Sequence, residues 1–332
     1  MSDPADIPAA DIPADPPSAE GAGPATDPAG SGAVEGPELS VVIPSVNGYG
    51  DLDGVLRALE TGQQARLEIV VVDRLGEHVR HFLRRDHPQV TVLAVPGDTT
   101  IPQMRAAGIR RAGAPAVAVT EDHVIVPPGW ARAMLDALER EGAEAVGGPV
   151  DNAATDSRID WAAFLCEYSS TLPPLPAGPA EWLPGNNVIY RTETLRRHDA
   201  VLDQNRWEGA LHDAIRAGGG RLVMCPEIVV GHKMHYSFGL YASQRYLYSR
   251  SYAGALARNM PPLRRAAMGA AALVLLPPLM FWRTIRRVRG RDRFGAELAP
   301  SLPLLVPFCL SWGAGEAAGY WFGPGRALEK VR

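Results

Sequence analysis

Cysteine is scarce. The 332-residue chain has three, Cys166, Cys225 and Cys309, widely separated in sequence. None sits in a metal-type pair and three thiols cannot all pair within one chain, so neither a disulfide framework nor a cysteine zinc site is expected; a reducing compartment is the simpler reading. A surplus of one charge is also missing. With 33 Lys and Arg against 37 Asp and Glu, the net charge of −4 leaves no footprint for nucleic acid as a partner. No internal repeat is present. The N-terminus lacks the basic start and continuous apolar core of a signal peptide. Residues 1–37 are built from Pro, Ala, Asp and Gly, with almost no bulky side chain. Such a stretch cannot bury enough apolar surface to offset the entropy of ordering, and it is expected to be a disordered tail.

What is present begins at Glu38. Leu39 to Pro44, Leu67 to Val72, Val90 to Val95 and Ala116 to Val119 are short, nearly continuous apolar runs, rich in β-branched residues. They predict strands buried on both faces. Helical spacing falls between and after them, at Asp51 to Thr61, Val79 to Arg85, Ile101 to Ala112 and Trp130 to Glu141. This alternation predicts an α/β fold: a mostly parallel, Rossmann-like sheet flanked by helices. The second half is less regular, with strands expected at Ala145 to Val150, Asn187 to Tyr190, Leu222 to Cys225 and Ile228 to Val230. Helices are expected at Trp161 to Tyr168, Gly209 to Ala217 and Gly239 to Arg258. Ligands of such open sheets bind beyond the carboxyl ends of the strands. Polar clusters stand there: Ser45-Val46-Asn47, Asp73-Arg74 and Glu121-Asp122-His123.

The domain plan is a tail over 1–37, a catalytic domain over 38–260 and a membrane-associating helical region over 261–332. Ala266 to Trp282 carries no charge, and Leu298 to Phe322 carries one, Glu316. A helical crossing needs about 20 apolar residues. The first segment is short and broken by Pro277-Pro278; the second is loosened by Pro and Gly. Between them lie Arg283, Arg286, Arg287, Arg289, Arg291 and Arg293. Two spans would put this loop in the cytoplasm and the catalytic domain outside. A first segment that only dips into the interface keeps the domain and the arginines together on the cytoplasmic side, against anionic headgroups. The second picture is the one expected, with a buried hairpin in a soluble protein as the plain alternative.

The chemistry centres on Thr120 to Trp130 (TEDHVIVPPGW). Two acids and an imidazole follow a buried strand; hard oxygen ligands suit Mg²⁺ or Mn²⁺, and imidazole favours Mn²⁺. Helix caps or solvated turn residues are the competing reading. The stretch resembles the metal-binding acidic motif of family 2 glycosyltransferases, which have the GT-A fold. Glu121 and His123 take its two acidic positions, and Val126-Pro127-Pro128-Gly129-Trp130 matches its continuation. Val41 to Asn47, with Pro44, Ser45 and Asn47, is similar to the family's first strand and turn. Glu68 to Asp73 is similar to the second strand, ending in the acid that meets the nucleobase. The segment from Ile101 to Gly108 resembles the helix before the metal motif, with Arg105 near the nucleotide. Gly185-Asn186 resembles the acceptor-side loop, Trp207-Glu208 the motif that supplies the base, Gly231-His232 a histidine near the diphosphate, and Gln244-Arg245-Tyr246 a basic-aromatic closure over the donor.

The resemblance implies an inverting glycosyltransferase. Glu208 is the base, with Asp213 one turn later as its rival. Pro44, Ser45, Asn47, Asp73, Arg105, Glu121, Asp122, Gly185, Asn186 and Arg245 bind the nucleotide sugar, and Glu121, His123 and His232 bind a divalent cation. The implied partners are a nucleotide-sugar donor, a glycan or lipid-linked acceptor and membrane lipids. Departures are Arg74 for a second acid, Glu and His for two Asp, and Glu208-Gly209 for a Glu-Asp pair. They keep open a degenerate, membrane-bound scaffold. A nucleotidyltransferase on a similar sheet fits less well, because the turn from Ser45 to Gly50 has no lysine. Trp182 and Trp207 are read either as sugar platforms or as core; His212, His235, Tyr236, Tyr246, Tyr248 and Arg250 are read as packing residues.

Overall fold

The computed structural model describes residues 36–291 and 293–331, so the expectation for the N-terminal tail falls outside it up to residue 35. Chain order begins β1 (Leu39–Ser45), α1 (Tyr49–Glu60), β2 (Leu67–Asp73), α2 (Glu77–Asp86), β3 (Thr91–Ala94), α3 (Ile101–Arg111), β4 (Ala116–Val119), β5 (Val124–Ile125) and α4 (Trp130–Glu141). It continues with β6 (Ala145–Gly147), β7 (Val150–Asn152), α5 (Arg158–Tyr168), β8 (Gly178–Pro179), β9 (Val188–Arg191), α6 (Thr192–Arg197), α7 (Asp199–Leu202) and α8 (Glu208–Ala217). Last come β10 (Leu222–Met224), β11 (Val230–His232), α9 (Phe238–Leu256), α10 (Pro262–Val274), α11 (Leu276–Arg289) and α12 (Gly295–Phe322).

The main sheet has eight strands in the order β3-β2-β1-β4-β9-β6-β10-β8. Its first four are parallel. β9 runs antiparallel to both β4 and β6. This mixed sheet with helices packed on it is GT-A-like. All seven residues of β1 are buried, as a central strand covered on both faces requires. The single strand expected over Ala145 to Val150 is two: the chain leaves β6 at Gly148, and β7 pairs with β11 in a separate three-stranded sheet. That small sheet also takes β5, which brings His232 opposite Val124.

The C-terminal segments are helical, with bounds that move. Pro277 and Pro278 sit in the first turn of α11, and the break after Val274 bends α10 against α11 by 50°. α12 runs for 28 residues despite Pro300, Pro303 and Pro307. By length and composition it is the one described helix able to cross a bilayer, while α10 and α11 pass only as a bent pair. All three belong to the same compact unit as the sheet. α12 packs against α5, α9, α10 and α11. Glycines set its approach to α9. A Cβ on Gly315 would lie 2.2 Å from Ser249 Oγ, and one on Gly319 would lie 2.5 Å from the Arg250 carbonyl oxygen. Four residues apart, they share a helix face, a small-residue seam that lets two backbones meet. Arg265 closes the far end by donating to the carbonyls of Tyr320 (2.9 Å) and Trp321 (3.1 Å).

Candidate active site

The turn after β4 is organised by Asp122, which is fully buried. Its carboxylate accepts from the backbone amides of Val46 (2.6 Å) and Asn47 (2.8 Å) and from Asn47 Nδ2 (2.9 Å). It also lies 2.9 Å from His123 Nδ1. Burial works against the carboxylate, but His123 and the two amides overcome it and hold its pKa below the usual range. Asp122, expected on the nucleotide sugar, is therefore turned into the protein. It ties the β1 turn to the β4 turn and orients an imidazole. An Nδ1–H aimed at Asp122 leaves the His123 Nε2 lone pair pointing the other way.

That lone pair faces His232. The two Nε2 atoms are 3.0 Å apart, and His123 Nε2 is 3.6 Å from a Glu121 carboxylate oxygen. One ligand atom from each of Glu121, His123 and His232 falls within 4.8 Å of the others. Two imidazole nitrogens this close share either one N–H hydrogen or a metal ion. Burial, and then the charge of His123, lowers the His232 pKa well below its ordinary value, which keeps its ring neutral and able to ligate. Burial opposes charge on His123 as well, but Asp122 and Glu121 outweigh it and raise the pKa. A nitrogen-nitrogen-oxygen donor set of this kind fits a divalent ion of the Mn²⁺ type.

Arg105, from α3, links this cluster to Glu208. Its Nη1 donates to Glu208 Oε2 at 2.8 Å and its Nη2 to Glu121 Oε1 at 3.1 Å. Glu208 is the first residue of α8. The pair fits because residue 185 is glycine: a Cβ there would lie 2.6 Å from Glu208 Cδ and 2.7 Å from Arg105 Nη1. Asn186 donates from Nδ2 to Glu121 Oε2 at 3.0 Å and to the Tyr168 hydroxyl at 3.1 Å. These side chains line one cavity of about 390 Å³ beyond the carboxyl end of β4.

Of the residues picked from sequence, Arg105, Glu121, His123, Gly185, Asn186, Glu208, His232 and Arg245 line this cavity. Pro44, Ser45 and Asn47 stand at the β1 turn behind Asp122, and Asp73 ends β2; none of these four lines it. The Asp73 carboxylate accepts from the amides of Leu75 (3.1 Å) and Gly76 (3.2 Å) and from Arg80 (2.9 Å). Arg74, the departure from the family pattern, donates to the carbonyls of Thr99 (3.0 Å) and Val331 (2.6 Å) and so holds the last residues of the chain. Asp213 is largely exposed on α8 and does not line this cavity, whereas Glu208 does. His212 is buried and shares one hydrogen bond of 2.8 Å with the Tyr190 hydroxyl.

Sequence reasoning missed the wall made by α5 and α12. Glu167 and Tyr168 come from the first, Trp312 and Glu316 from the second. The Arg245 guanidinium is 4.4 Å from the Tyr248 ring centre and 4.3 Å from that of Trp312, with Glu167 at 3.5 Å. Its Nε is buried with no hydrogen-bond partner among the described residues. Tyr248 and Tyr236, read as packing residues, line the cavity too. The available signal was Glu316, the lone charge in the stretch from Leu298 to Phe322.

The family model described as glycosyl transferase family 2 matches residues 40–203. No curated protein matches the chain. Among solved structures, the mannosyltransferase PcManGT from Pyrobaculum calidifontis, determined with GDP-Man and Mn²⁺, superposes with a TM-score of 0.52 at 16% identity, over 87% of this chain and 88% of that one. TarS residues 1–349 from S. aureus gives 0.47 at 11% identity, over 85% and 90%. At such identities the likeness is one of fold.

Proposed function

We propose, from the match of residues 40–203 to the glycosyl transferase family 2 model, that the chain transfers a sugar from a nucleotide-diphospho-sugar to an acceptor hydroxyl with inversion at the anomeric carbon. The observation that carries this reading is the single cavity in which Arg105 joins Glu208 to the Glu121–His123–His232 cluster. Glu208 takes the proton from the acceptor hydroxyl. The acceptor oxygen bonds to the anomeric carbon as the bond to the diphosphate breaks, and the nucleoside diphosphate leaves with the electron pair. Arg105 positions Glu208 and lends positive charge to the side where negative charge develops. A divalent ion held by Glu121, His123 and His232 would neutralise further charge on the leaving diphosphate.

The test is hydrolysis and transfer with UDP-, GDP- and dTDP-sugars in the presence of Mn²⁺, the product anomer read by NMR. Glu208→Gln is expected to lower kcat by about 10²–10⁴-fold, the worth of a general base. No turnover of any donor would instead favour a non-catalytic scaffold. A retained anomeric configuration would remove the single-displacement mechanism.

The chain is further proposed to work at the cytoplasmic face of a membrane, lying on it through α10 and α11, with a lipid-linked or envelope glycan as acceptor. α12 is packed by four other helices and leaves Val306, Leu310, Trp321 and Phe322 exposed. α10 and α11 expose Leu263, Met268, Leu273, Val274, Leu279 and Trp282, and Arg264, Arg283, Arg286 and Arg289 are exposed on the same helices. An apolar face edged by arginine and tryptophan suits the interface of an anionic bilayer.

A further inference from the structure

Two more cavities continue the catalytic one along α9. The nearer, about 140 Å³, meets it at Trp207 and Tyr252. The farther, about 730 Å³, shares Asn205, Arg206, Ser251 and Leu256 with the nearer one. It lies between the 204–206 turn, the start of α3, the end of α9 and residues 324–329. One groove therefore leads outward from Glu208.

Its chemistry changes along the way. Close to Glu208 it is aromatic, with Trp182, Trp207, Tyr248 and Tyr252. Farther out it is polar and balanced in charge, with Asp98 and Glu329 facing the same space as Arg206 and Arg258. The side chains of Gln204, Arg206, Arg258 and Asn259 make no hydrogen bond or ion pair with another described residue. The turn that presents them is fixed. Asn205 holds a left-handed φ of 51°, which Asn tolerates, and its Oδ1 accepts from the Thr100 hydroxyl at 2.5 Å. Two carboxylates in the lining oppose a nucleotide or phosphate there, and the polarity opposes an alkyl chain. A neutral polyhydroxyl chain satisfies both ends: the C–H faces of sugar rings lie on aromatic rings, and their hydroxyls meet amides and guanidinium groups.

We propose that this groove binds an oligosaccharide acceptor, with the terminal hydroxyl at Glu208 and the preceding sugar rings running past Trp207 and Tyr252 toward Arg206 and Arg258. The enzyme then extends a chain rather than modifying a single sugar. The inference rests on the transferase reading above, and its test separates the two. Wild-type protein is given each active donor with mono- to pentasaccharides of mannose, glucose or N-acetylglucosamine as acceptors. For the matching series, kcat/KM is expected to rise by at least about tenfold with acceptor length, the worth of one or two good hydrogen bonds. In Arg206→Ala/Arg258→Ala, two exposed positions, that length dependence should collapse with an unchanged melting temperature. Saturation-transfer NMR should show protein contact with the pentasaccharide beyond its terminal ring, lost in the double variant. An enzyme that turns over donor but uses a monosaccharide as well as a pentasaccharide overturns the groove. Absence of donor turnover sinks the transferase reading, and the NMR measurement still decides whether the groove binds saccharide.

Discussion

Gly185→Ala is the sharpest probe of the site, because one methyl group meets two of its charges. The added Cβ would stand 2.6 Å from Glu208 Cδ and 2.7 Å from Arg105 Nη1. Ordinary contact needs roughly 3.5 Å or more, so the ion pair must yield by about an ångström. Both contacts are ends of flexible side chains, so the stability loss belongs at the low end of overpacking, about 1 kcal/mol. In a domain of this size that lowers Tm by roughly 2–4 °C. Catalysis should suffer more. A displacement of about 1 Å in a positioned catalytic group lowers the rate by about 10²-fold, or about 2.7 kcal/mol of barrier. The assay is kcat for transfer alongside a thermal melt, with donor KM measured separately. A large loss of kcat with a small change in Tm is expected. A variant that keeps kcat within about twofold refutes the assignment of Glu208 as a base positioned by Arg105.

Asp122→Asn should weaken Mn²⁺ binding by about 10–100-fold by titration calorimetry, because His123 loses the carboxylate that orients it; unchanged affinity would detach Asp122 from any metal. Gly319→Val should destabilise the protein in urea by at least about 1–3 kcal/mol through overpacking against the Arg250 backbone. Burial, helped by Arg105, lowers the His212 pKa from 6.5 to about 3. The unfolded chain therefore binds a proton that the folded chain refuses between those values, so stability is lost as pH falls through that window, by about 1.4 kcal/mol per unit, and is unaffected above it. Urea melts of wild type and His212→Gln from pH 4 to 7 should differ by that slope. Trp282→Ala with Arg283, Arg286 and Arg289 changed to Gln should abolish co-sedimentation with anionic vesicles; retained binding would move the docking face elsewhere.

The strands and helices of the first half were legible because burial on both faces leaves an unbroken apolar run, as in β1, β2 and β4. α4, flanked by Gly129 and Gly142, kept the bounds expected for it. The two short strands at 145–152 were read as one, since Gly148 marks a change of sheet that no local pattern announces. β5 and β8, two residues each, carry too little pattern to read. In the site, the acids and histidines were visible as polar residues at strand ends. What each one faces was not. Asp122 looks like a ligand beside Glu121 and His123 until its hydrogen bonds to Val46 and Asn47 place it behind them.

α12 ties the membrane reading to the chemistry. One stretch of it carries Trp312 and Glu316 into the cavity and Gly315 and Gly319 onto α9. The α9 side of that seam is the helix that bears Arg245 and Tyr248 and lines the outer groove. On its other side α12 is covered by α10 and α11, the pair proposed to lie on lipid. A shift of α10 and α11 at a bilayer therefore bears on the catalytic wall through a helix whose approach to α9 is fixed by two glycines. Loosening that seam should change acceptor KM and vesicle binding together, whereas an independent anchor would let either change alone. The sequence hides this link because an apolar, proline-containing helix reads as an appendage, while its placement makes it part of the wall of the candidate site.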